Sequence, residues 1–469
     1  MLLMLPPPVT EILRDLDQAG FRALVVGGAV RDALLGLAPK DFDVEVYGVA
    51  YDRLAAVLAR YGRVDLVGKA FGVVKLFRSG FGEVDFSVPR RESKIGVHHR
   101  DFRTAFDENI SPREAASRRD FTINAMAYDS LRDELLDFFG GAQDLNNRVL
   151  RATSGAFRED PLRVLRGMQF ACRFDLAVEP ATAAMCREIS REYVTLARER
   201  VAEEFMKWAV KSEAPGRIAE YLKRTGWIEH FPEIAALDGV PQDSEWHPEG
   251  DVNRHTMLVV DAAARIAKRE RLQGDDRAIL IFAALTHDFA KATTTALRER
   301  DGRLRWTSWG HEAAAGPEAR AFLEHIGIKN AIIEAVVRLV ENHLAHASIG
   351  ADVTPRAVRR LAMRLAPASI AQLLLLIEAD HSGRPPLPPG LPEGAIRIRD
   401  MALAQAVEQK PQAPLILGRH VLPYFENRPG KHIGEVVQAA MEAQADGAFS
   451  TEEEALAWVD RYVREQVLQ

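Results

Sequence analysis

Two aspartates near the start of the chain have the type and spacing that a metal-dependent phosphoryl-transfer site requires. Asp41 and Asp43 lie two residues apart, and the residues that alternate with them, Phe42, Val44 and Val46, are apolar. Such alternation predicts a half-buried strand, on which residues two apart point to the same face. Neighbouring carboxylates bind divalent ions such as Mg²⁺, which promote phosphate chemistry. We therefore predict that Asp41 and Asp43 are catalytic residues that bind Mg²⁺.

A glycine pair upstream has the pattern of a phosphate-binding turn. The apolar run 23–26 predicts a buried strand, which Gly27 and Gly28 end. The next residues, 29–35, have the composition of a helix. Glycines at such a junction let backbone N–H groups approach a polyphosphate, and the helix dipole favours the same anion. Arg31 can add a charge-assisted contact. A lone Gly-Gly after a strand is usually an ordinary turn and a lone Asp-x-Asp is usually solvated surface, whereas their succession along one chain is specific.

The order of these motifs resembles the head of class II tRNA nucleotidyltransferases, the CCA-adding enzymes and bacterial poly(A) polymerases of the DNA polymerase β superfamily. The chain reads Gly-Gly-x-x-Arg-Asp, then Leu-Gly, then Asp-x-Asp on the next predicted strand. The resemblance implies two-metal nucleotidyl transfer. It also implies that Gly28 and Arg31 bind the nucleotide, while Asp41 and Asp43 bind the metals.

Two further segments, 73–77 and 84–88, have the composition of strands. Glu83 and Asp85 share one face of the second segment. One of them is a candidate third acid, although Glu83 fits a solvated edge charge equally well.

A polar and basic stretch, 89–117, follows these segments. Its composition predicts either a mobile surface loop or a flexible basic loop that contacts triphosphate or RNA. The resemblance favours the second interpretation and implies a role in the switch from C to A addition. Farther on, Ile123 and Ala127 predict the buried face of a helix. The preceding Arg-Arg-Asp matches the second motif of the family, which implies that Arg119 contacts the triphosphate.

Residues 158–173 predict a capped helix with a charged face. Asp160 is a favourable N-cap and Pro161 a favourable first helical residue. Arg163 and Arg166 fall on a different face from the apolar stripe. The stripe consists of Leu162, Leu165, Met168 and Cys172. An ordinary helix with one apolar and one solvated face explains this spacing of residues equally well.

Hydrogen-bond chemistry gives the same residues a sharper interpretation. A carboxylate accepts from an exocyclic amino group, and a guanidinium donates to ring nitrogens and carbonyls. Cytosine and adenine present an amino group beside an acceptor, whereas uracil and guanine place a carbonyl where the carboxylate needs a donor. The Glu-Asp-x-x-Arg pattern resembles the amino-acid template for CTP and ATP in the same family. The resemblance implies that Asp160 and Arg163 read the base with Arg166 nearby, and that segments 197–200 and 203–205 brace them.

A separate set of metal-ligand residue types lies in the second half of the chain. His287 and Asp288 follow the apolar run 279–285, which places them at the end of a buried helix. Together with His255 and Asp380 they form an imidazole and carboxylate set that suits a transition metal such as Ni²⁺ or Mn²⁺. The set resembles an HD-type phosphohydrolase domain, which implies a phosphodiesterase or phosphatase activity. The second-line candidate ligands are His311 and His343.

Bulk composition limits the class of protein. A chain of 469 residues has room for about two to four domains, and 47% hydrophobic with 27% charged residues is typical of a globular protein. Cys172 and Cys186 are the only cysteines, which excludes a disulfide framework and favours a reducing, cytoplasmic compartment. The apolar segment 1–8 is too short and proline-rich for a signal peptide or membrane span. The net charge of −6 argues weakly against nucleic acid, but a local basic surface is sufficient for binding.

These patterns predict an α+β protein with a polymerase β-like nucleotidyltransferase head and an all-helical remainder. The predicted parts are a head at 1–150, a neck at 151–215, a helical body with the HD site at 216–390, and a helical tail at 391–469 that the resemblance places on tRNA. The predicted function is template-independent addition of C, C and A to the tRNA 3′ end from CTP and ATP. The alternatives are a poly(A) polymerase, an enzyme that adds CC or A alone, and an HD phosphohydrolase whose head only binds RNA. The sequence leaves the oligomeric state open.

Overall fold

The chain forms two compact units, Met1–His230 and Phe231–Gln469. The computed structural model describes residues 3–39, 41–66, 72–78, 82–94, 102–106, 109–300, 302–348 and 353–466, with the backbone alone at 90–94, 102–106 and 466. The first unit contains the predicted head and neck together with residues 216–230, and the second contains the rest of the predicted body and the tail. The finer division into four parts stays a prediction.

Short strands build a sheet at the centre of the first unit. The strands of the whole described chain are β1 Arg22–Val26, β2 Asp43–Tyr47, β3 Arg63–Asp65, β4 Val73–Arg78, β5 Gly82–Ser87, β6 Arg90–Lys94, β7 Phe102–Phe106, β8 Ala127–Asp129, β9 Glu134–Leu136, β10 Val149–Leu150, β11 Ala177–Val178, β12 Ala296–Arg300 and β13 Arg303–Thr307. Seven of them form one sheet in the order β3-β4-β5-β2-β1-β8-β9. The remaining strands pair as β6 with β7, β10 with β11, and β12 with β13.

Helices flank the sheet and continue through the rest of the first unit. They are α1 Pro7–Gln18, α2 Gly28–Leu34, α3 Tyr51–Leu58, α4 Pro112–Ser117, α5 Gly141–Asn146, α6 Leu162–Phe174, α7 Pro180–Glu188, α8 Arg198–Lys211 and α9 Ile218–Thr225. Apolar side chains of α1 and α3 pack in one core with the apolar residues of the sheet. The α+β class with a sheet in the head, which the sequence predicts, is confirmed.

Strand β2 lies in the middle of the sheet and begins at Asp43, so Asp41 lies two residues before the strand and not on it as predicted. It pairs with β1 in antiparallel register and with β5 in parallel register. Val44 and Val46 are fully buried in the core, so Asp43 and Glu45 belong to the opposite face. The sheet therefore fixes Asp43 at a strand end that borders the glycine turn after β1.

Two predictions of local structure in the head are wrong. The segment with Ile123 and Ala127 is not a helix, because residues 122–124 make only a short 3₁₀ turn and Ala127 begins β8. Both side chains are buried as predicted, but pairing of β8 with β1 overrides the helical spacing.

The stretch 89–117 is not simply a loop where the structure describes it. Strands β6 and β7 form an antiparallel hairpin, and Ser111 caps α4 by accepting a hydrogen bond from the backbone of Glu114. Part of the predicted basic segment, including His98, His99 and Arg100, lies outside the described residues.

The second unit is almost entirely helical. Its helices are α10 Pro232–Ala235, α11 Val252–Arg269, α12 Gly274–Thr286, α13 Lys291–Thr294, α14 His311–His325, α15 Asn330–Glu341, α16 Ala345–Ser348, α17 Pro355–Leu365, α18 Ile370–Ser382, α19 Glu393–Ala404, α20 Gly418–Val421, α21 Lys431–Asp446 and α22 Glu452–Gln466. Residues 278–286 of α12 are buried on every side, as expected for a central core helix. Across the described residues no single helix has the length and apolarity to cross a membrane, while the bent pair α17 and α18 meets those criteria only in combination.

Helix α6 packs so tightly that one of its glycines cannot carry a side chain. A Cβ at Gly167 would overlap the hydroxyl oxygen of Tyr221 and lie 2.8 Å from Cζ of Phe121. Both neighbours are buried, so they have little room to yield. We expect Gly167→Ala to destabilise the protein by about 1–3 kcal/mol, because overpacking outweighs the gain in helix propensity. Thermal unfolding measured by circular dichroism tests this.

A matched control for this substitution lies in α21. A Cβ at Gly434 meets no heavy atom within 4 Å. Gly434→Ala should therefore keep only the propensity gain, up to about 1 kcal/mol of stabilisation. Equal changes in the two variants would contradict the packing argument.

Candidate active sites

The parallel pairing of β2 with β5 brings a third carboxylate to the Asp-x-Asp motif. Asp85 is the direct register partner of Asp43, and its backbone N–H donates to the carbonyl of Phe42 over 3.2 Å. The Lys75 ammonium lies 3.2 Å from both carboxylate oxygens of Asp85 and also contacts Glu83. Of the two candidate third acids, the register therefore places Asp85 beside Asp43.

The carboxylates influence one another. The pKa of the Asp43 carboxyl is raised, first by desolvation among the surrounding protein atoms and then by the negative charges of Asp85 and Asp41. The positive charge of Arg119 acts in the opposite direction. A site that concentrates negative charge in this way suits a bound cation.

The turn after β1 requires glycine at Gly27, and the predicted nucleotide contact of Gly28 stays a prediction. Gly27 has φ 70° and ψ −129°, a conformation that essentially only glycine adopts. A Cβ there would also lie 3.1 Å from Nη1 of Arg119, whereas a Cβ at Gly28 would make an ordinary 3.5 Å contact with Arg31. The Arg119 guanidinium thus stands directly over the glycine turn, and its Nη2 lies 3.5 Å from Oε2 of Glu45.

The Arg31 side chain is buried and contacts other protein side chains. Its Nε donates to Oδ1 of Asp32 over 2.8 Å, and its Nη1 donates to Oδ1 of Asn124 over 2.6 Å. The guanidinium also lies 4.6 Å from the ring centroid of Phe174. Burial lowers the pKa of Arg31, although Asp32 opposes the shift. These contacts brace the start of α2 against α6, and the predicted contact of Arg31 with nucleotide stays a prediction.

A charged pair links the second head motif to α6. Arg166 donates from Nε to Oδ2 of the buried Asp120 over 2.8 Å. Asp120 also accepts from Nδ2 of Asn124 over 3.0 Å. Burial alone would raise the pKa of Asp120, but Arg166 and Asn124 hold it below its usual value. Because Asn124 also binds Arg31, one hydrogen-bond network runs from the glycine turn to helix α6.

The predicted base-reading residues lie together at the start of α6, each with a protein partner. Asp160 accepts from the backbone N–H of Leu162 over 3.0 Å, and its second oxygen lies 3.2 Å from Nη2 of Arg200. Arg163 donates to the backbone carbonyls of Ala156 and Arg118 over 2.7 and 2.9 Å. Helix α6 begins at Leu162, one residue later than predicted, so its N-cap is Pro161 and not Asp160, although Asp160 still accepts a hydrogen bond from the N–H of Leu162. The predicted bracing segment 197–200 contacts Asp160 through one side chain, that of Arg200 on α8.

In the second unit, the ends of three helices converge on one buried cluster. His255 lies on α11, His287 and Asp288 directly follow α12, and Asp380 lies on α18. His255 Nε2 is 3.2 Å from Oδ1 of Asp380 and 3.7 Å from Oδ2 of Asp288. His287 Nε2 is 3.3 Å from that same Asp288 oxygen. The four predicted HD residues are therefore brought together.

The second-line histidines belong to the same cluster. His311 Nε2 lies 3.3 Å from Oδ1 of Asp288 and 3.3 Å from Nε2 of His343. Asp288 consequently has one oxygen near His255 and His287, and the other near His311. The donor atoms fall into two close sets, one of His255, His287 and Asp380, and one of Asp288, His311 and His343.

Backbone carbonyls orient three of the imidazoles. The Nδ1 atoms of His287, His311 and His343 lie 2.9, 2.6 and 2.7 Å from the carbonyls of Ala284, Ser308 and Val340. A carbonyl only accepts, so each Nδ1 carries a proton and each Nε2 is directed toward the cluster. Burial and the neighbouring His287 and His311 lower the pKa of His343 to about 3, which keeps it neutral.

Glu249 orients the remaining histidine and was not identified from the sequence. Its Oε1 lies 2.7 Å from Nδ1 of His255 and 2.9 Å from Nδ1 of His247. Burial alone would raise the pKa of Glu249, but these two histidines lower it to about 2. A carboxylate behind a ligating histidine is a frequent companion of metal sites. In the sequence, the only indication of this role was that Glu249 lies six residues before His255.

Buried nitrogen and oxygen atoms without hydrogen-bond partners indicate that the cluster can bind a divalent metal. Nε2 of His255 and His287 and both carboxylate oxygens of Asp288 are buried without a well-aligned hydrogen bond. Buried polar atoms of this kind are rare in native proteins and need an explanation such as an ion. Burial alone would raise the pKa of Asp288, but His287 and Lys291 hold it well below its usual value, so the carboxylate is ionised. Nitrogen and oxygen donors together suit divalent transition metals.

Known proteins match both sites. The Poly A polymerase head domain profile matches residues 23–151, and the HD domain profile matches residues 252–381. The multifunctional CCA protein of Xanthomonas campestris pv. campestris is 37% identical over 371 residues, which cover 77% of this chain and 85% of that protein. The Bacillus stearothermophilus CCA-adding enzyme in complex with CTP has a similar fold, with a TM-score of 0.62, 21% identity and 98% of each chain covered. The Thermotoga maritima CCA-adding enzyme complexed with tRNA aligns with a TM-score of 0.55 and 20% identity over 98% of this chain and 96% of that one. This chain therefore belongs to the multifunctional CCA protein family, the CCA-adding tRNA nucleotidyltransferases, and it carries an HD domain.

Proposed function

We propose that this protein adds C, C and A to the 3′ end of tRNA from CTP and ATP, with Asp41 and Asp43 as catalytic residues. The observation that carries the proposal is the meeting of Asp43, Asp85 and Arg119 at the Gly27 turn, where carboxylates for metal adjoin a cation for triphosphate. Membership in the CCA protein family and the CTP and tRNA complexes of similar folds support the choice of substrates.

The all-oxygen donor set of the head fits Mg²⁺, which Asp41 and Asp43 would hold together with Asp85. When bound, Mg²⁺ stabilises the charge that develops on the α-phosphate and on the leaving pyrophosphate. The protein's own contribution is orientation. Arg119 and the backbone at the Gly27 turn hold the triphosphate, so that the 3′-hydroxyl of the tRNA can attack in line.

Asp160 and Arg163 would read the base at the entrance to α6. In the structure Arg200 holds the Asp160 carboxylate, and backbone carbonyls hold Arg163. Base recognition would therefore replace or share these contacts. Because α6 is tied to the glycine turn through Asp120 and Asn124, the network positions the base readers relative to the triphosphate contacts.

The substitution Asp160→Asn distinguishes a role of the side chain in base recognition from a role in holding the start of α6. Asn retains an oxygen that can accept from the backbone N–H of Leu162 but can also present an amide donor to the carbonyl of uracil or guanine. We expect Asp160→Asn to raise the use of UTP or GTP relative to CTP and ATP by about ten- to a hundredfold, which corresponds to roughly 1–3 kcal/mol of discrimination. Single-nucleotide incorporation into tRNA measures this ratio.

Glu159→Gln provides the matched control for Asp160→Asn. It removes a neighbouring carboxylate, which binds Arg118 over 2.7 Å, without changing the proposed base reader. A slower but equally selective Asp160→Asn enzyme would limit Asp160 to holding the start of α6.

We further propose that the HD cluster hydrolyses a phosphoester in a Ni²⁺- or Mn²⁺-dependent manner. His255, His287, Asp380, Asp288, His311 and His343 supply the ligands, and Glu249 orients His255. When bound, such ions polarise the phosphate and generate a hydroxide nucleophile. Lys291, whose Nζ lies 2.8 Å from Asp288, adds a positive charge at the wall of the site.

The competing functions differ in their products. A poly(A) polymerase would extend the RNA with several A residues, and a CC- or A-only enzyme would stop early or need a preformed CC end. The carboxylates at the Gly27 turn count against a head that only binds RNA. A cytoplasmic location is also proposed, because both cysteines are free thiols and the proposed substrate is tRNA.

A further inference from the structure

A second carboxylate of β2 lies on the same face of the sheet as Asp43. Glu45 follows Asp43 by two residues, so both side chains leave the strand on the face opposite the buried Val44 and Val46. The Glu45 side chain is only 14% exposed. A carboxylate that is buried to this extent needs partners inside the protein. Glu45 is not among the proposed Mg²⁺ ligands, so its role must lie in the partners that it holds.

Tyr47 fixes the position of the Glu45 carboxylate. The Tyr47 hydroxyl donates to Oε2 of Glu45 over 2.6 Å. The Tyr47 ring packs with Leu24, Val26 and Ala127 in a small core on that face of the sheet. Burial and the neighbouring Glu45 raise the pKa of Tyr47, so the hydroxyl keeps its proton and remains a donor. Glu45 is therefore held by a side chain that is itself packed in a core.

The same carboxylate oxygen contacts Arg119 at the glycine turn. Nη2 of Arg119 lies 3.5 Å from Oε2 of Glu45, and Nη1 donates to the carbonyl of Asn124 over 3.5 Å. Both distances are long for hydrogen bonds, so the orientation of the guanidinium over Gly27 depends on the two contacts together. They engage two of the five N–H donors of the guanidinium, and a phosphate can bind the others without displacing them.

We propose that Glu45, braced by Tyr47, is a positioning residue that orients Arg119 toward the triphosphate of the incoming CTP or ATP. This proposal rests on the nucleotide addition proposed above and adds two residues that act without touching the substrate. An arginine that is held in its binding orientation beforehand loses less conformational entropy when the phosphate arrives. The contribution of Glu45 should therefore appear as nucleotide affinity.

Equilibrium binding of CTP and of ATP to the full-length protein tests the proposal, measured by isothermal titration calorimetry in Mg²⁺ without tRNA. Glu45→Ala should weaken the binding of both nucleotides about tenfold, the scale of one hydrogen bond to a charged group. Because the two nucleotides share the triphosphate, the ratio of their affinities should stay unchanged. In addition assays KM should rise by a similar factor while kcat changes by less than about threefold, as expected for a contact that ground state and transition state share.

Conservative variants separate orientation from loss of folding. Glu45→Gln retains an oxygen acceptor for Tyr47 and Arg119, and its CTP affinity should lie within about threefold of wild type. Tyr47→Phe keeps the ring in its core but removes the hydroxyl, and it should weaken CTP binding about threefold. Glu134→Ala is the matched control, because it removes another carboxylate of the same sheet, which pairs with Arg22 over 3.2 Å. CTP affinity should not change in this control.

A double-mutant cycle shows whether Glu45 acts through Arg119. Arg119→Ala should weaken CTP binding at least as much as Glu45→Ala, and combining the two should cause no further loss. An additive loss would overturn the positioning role, and so would tighter binding by Glu45→Ala through removal of a repulsive charge. Wild-type protein that shows this cycle but extends no tRNA would support the positioning role and overturn the proposed addition. Unchanged CTP binding by Glu45→Ala in an enzyme that completes CCA would overturn the positioning role and leave the addition standing.

Discussion

Asp43→Ala and Asp41→Ala are each expected to reduce nucleotide addition to tRNA by at least about a hundred- to a thousandfold, the scale on which one electrostatic element of an active site acts. The reason is that each substitution removes an oxygen ligand from the proposed Mg²⁺ site. Incorporation of labelled CTP into tRNA lacking its CCA end measures the loss. Both side chains are exposed, Asp43 as the first residue of β2 and Asp41 two residues before it, so the variants should fold normally and retain tRNA binding.

The same assay distinguishes the two candidate third acids. Asp85→Ala should be severely impaired, because Asp85 pairs directly with Asp43. Glu83→Ala should remain close to wild type, since its described ion pair is with Lys75 at the surface. Near-normal incorporation by Asp43→Ala would refute the site, and equal loss in the Asp85 and Glu83 variants would refute the role of the register.

The second large effect concerns the HD cluster. The double substitution of His287→Ala and Asp288→Ala should abolish Ni²⁺- or Mn²⁺-dependent phosphoester hydrolysis, a loss of more than about a hundredfold. Bound metal, measured by mass spectrometry after dialysis, should fall in parallel. CCA addition in Mg²⁺ should persist, because its residues belong to the other compact unit.

His325→Ala is the control for that experiment. His325 is exposed at the end of α14 and is not part of the donor sets, so both activities should survive its removal. Loss of addition together with hydrolysis in a folded double variant would show that the two sites are coupled. Absence of hydrolysis in the wild type with every divalent ion would limit the cluster to a structural metal.

The sequence specifies the chemistry of both sites better than their geometry. Asp-x-Asp and the adjacent His-Asp pair are local patterns, and their short spacing alone keeps the two members of each pair close. The proposal of Asp85 over Glu83 as the third acid rests on parallel pairing between β2 and β5, which no local pattern encodes. Likewise, Gly27 and Gly28 are indistinguishable in the sequence, and only the positive φ at Gly27 identifies the one that the turn requires.

Tertiary contacts explain the remaining differences. Residues around Ile123 have helical spacing of apolar positions but join the sheet through β8, because long-range strand pairing outweighs intrinsic propensity. Glu249 acquires its role only when the start of α11 folds against it. Arg163 and Asp160 were predicted as base readers, and the structure adds their partners Ala156, Arg118 and Arg200.

Addition to a defined set of tRNA ends tests the central claim most directly. Transcripts that end before CCA, after the first C, after CC, and after the complete CCA are incubated with CTP, ATP or both in Mg²⁺, and the 3′ ends are sequenced. CTP alone should complete only CC, ATP alone should extend only the CC end by one A, and both together should give a single CCA end with no further growth. An oligo(A) tail, a halt at CC with both nucleotides present, or no extension of any transcript would contradict CCA addition.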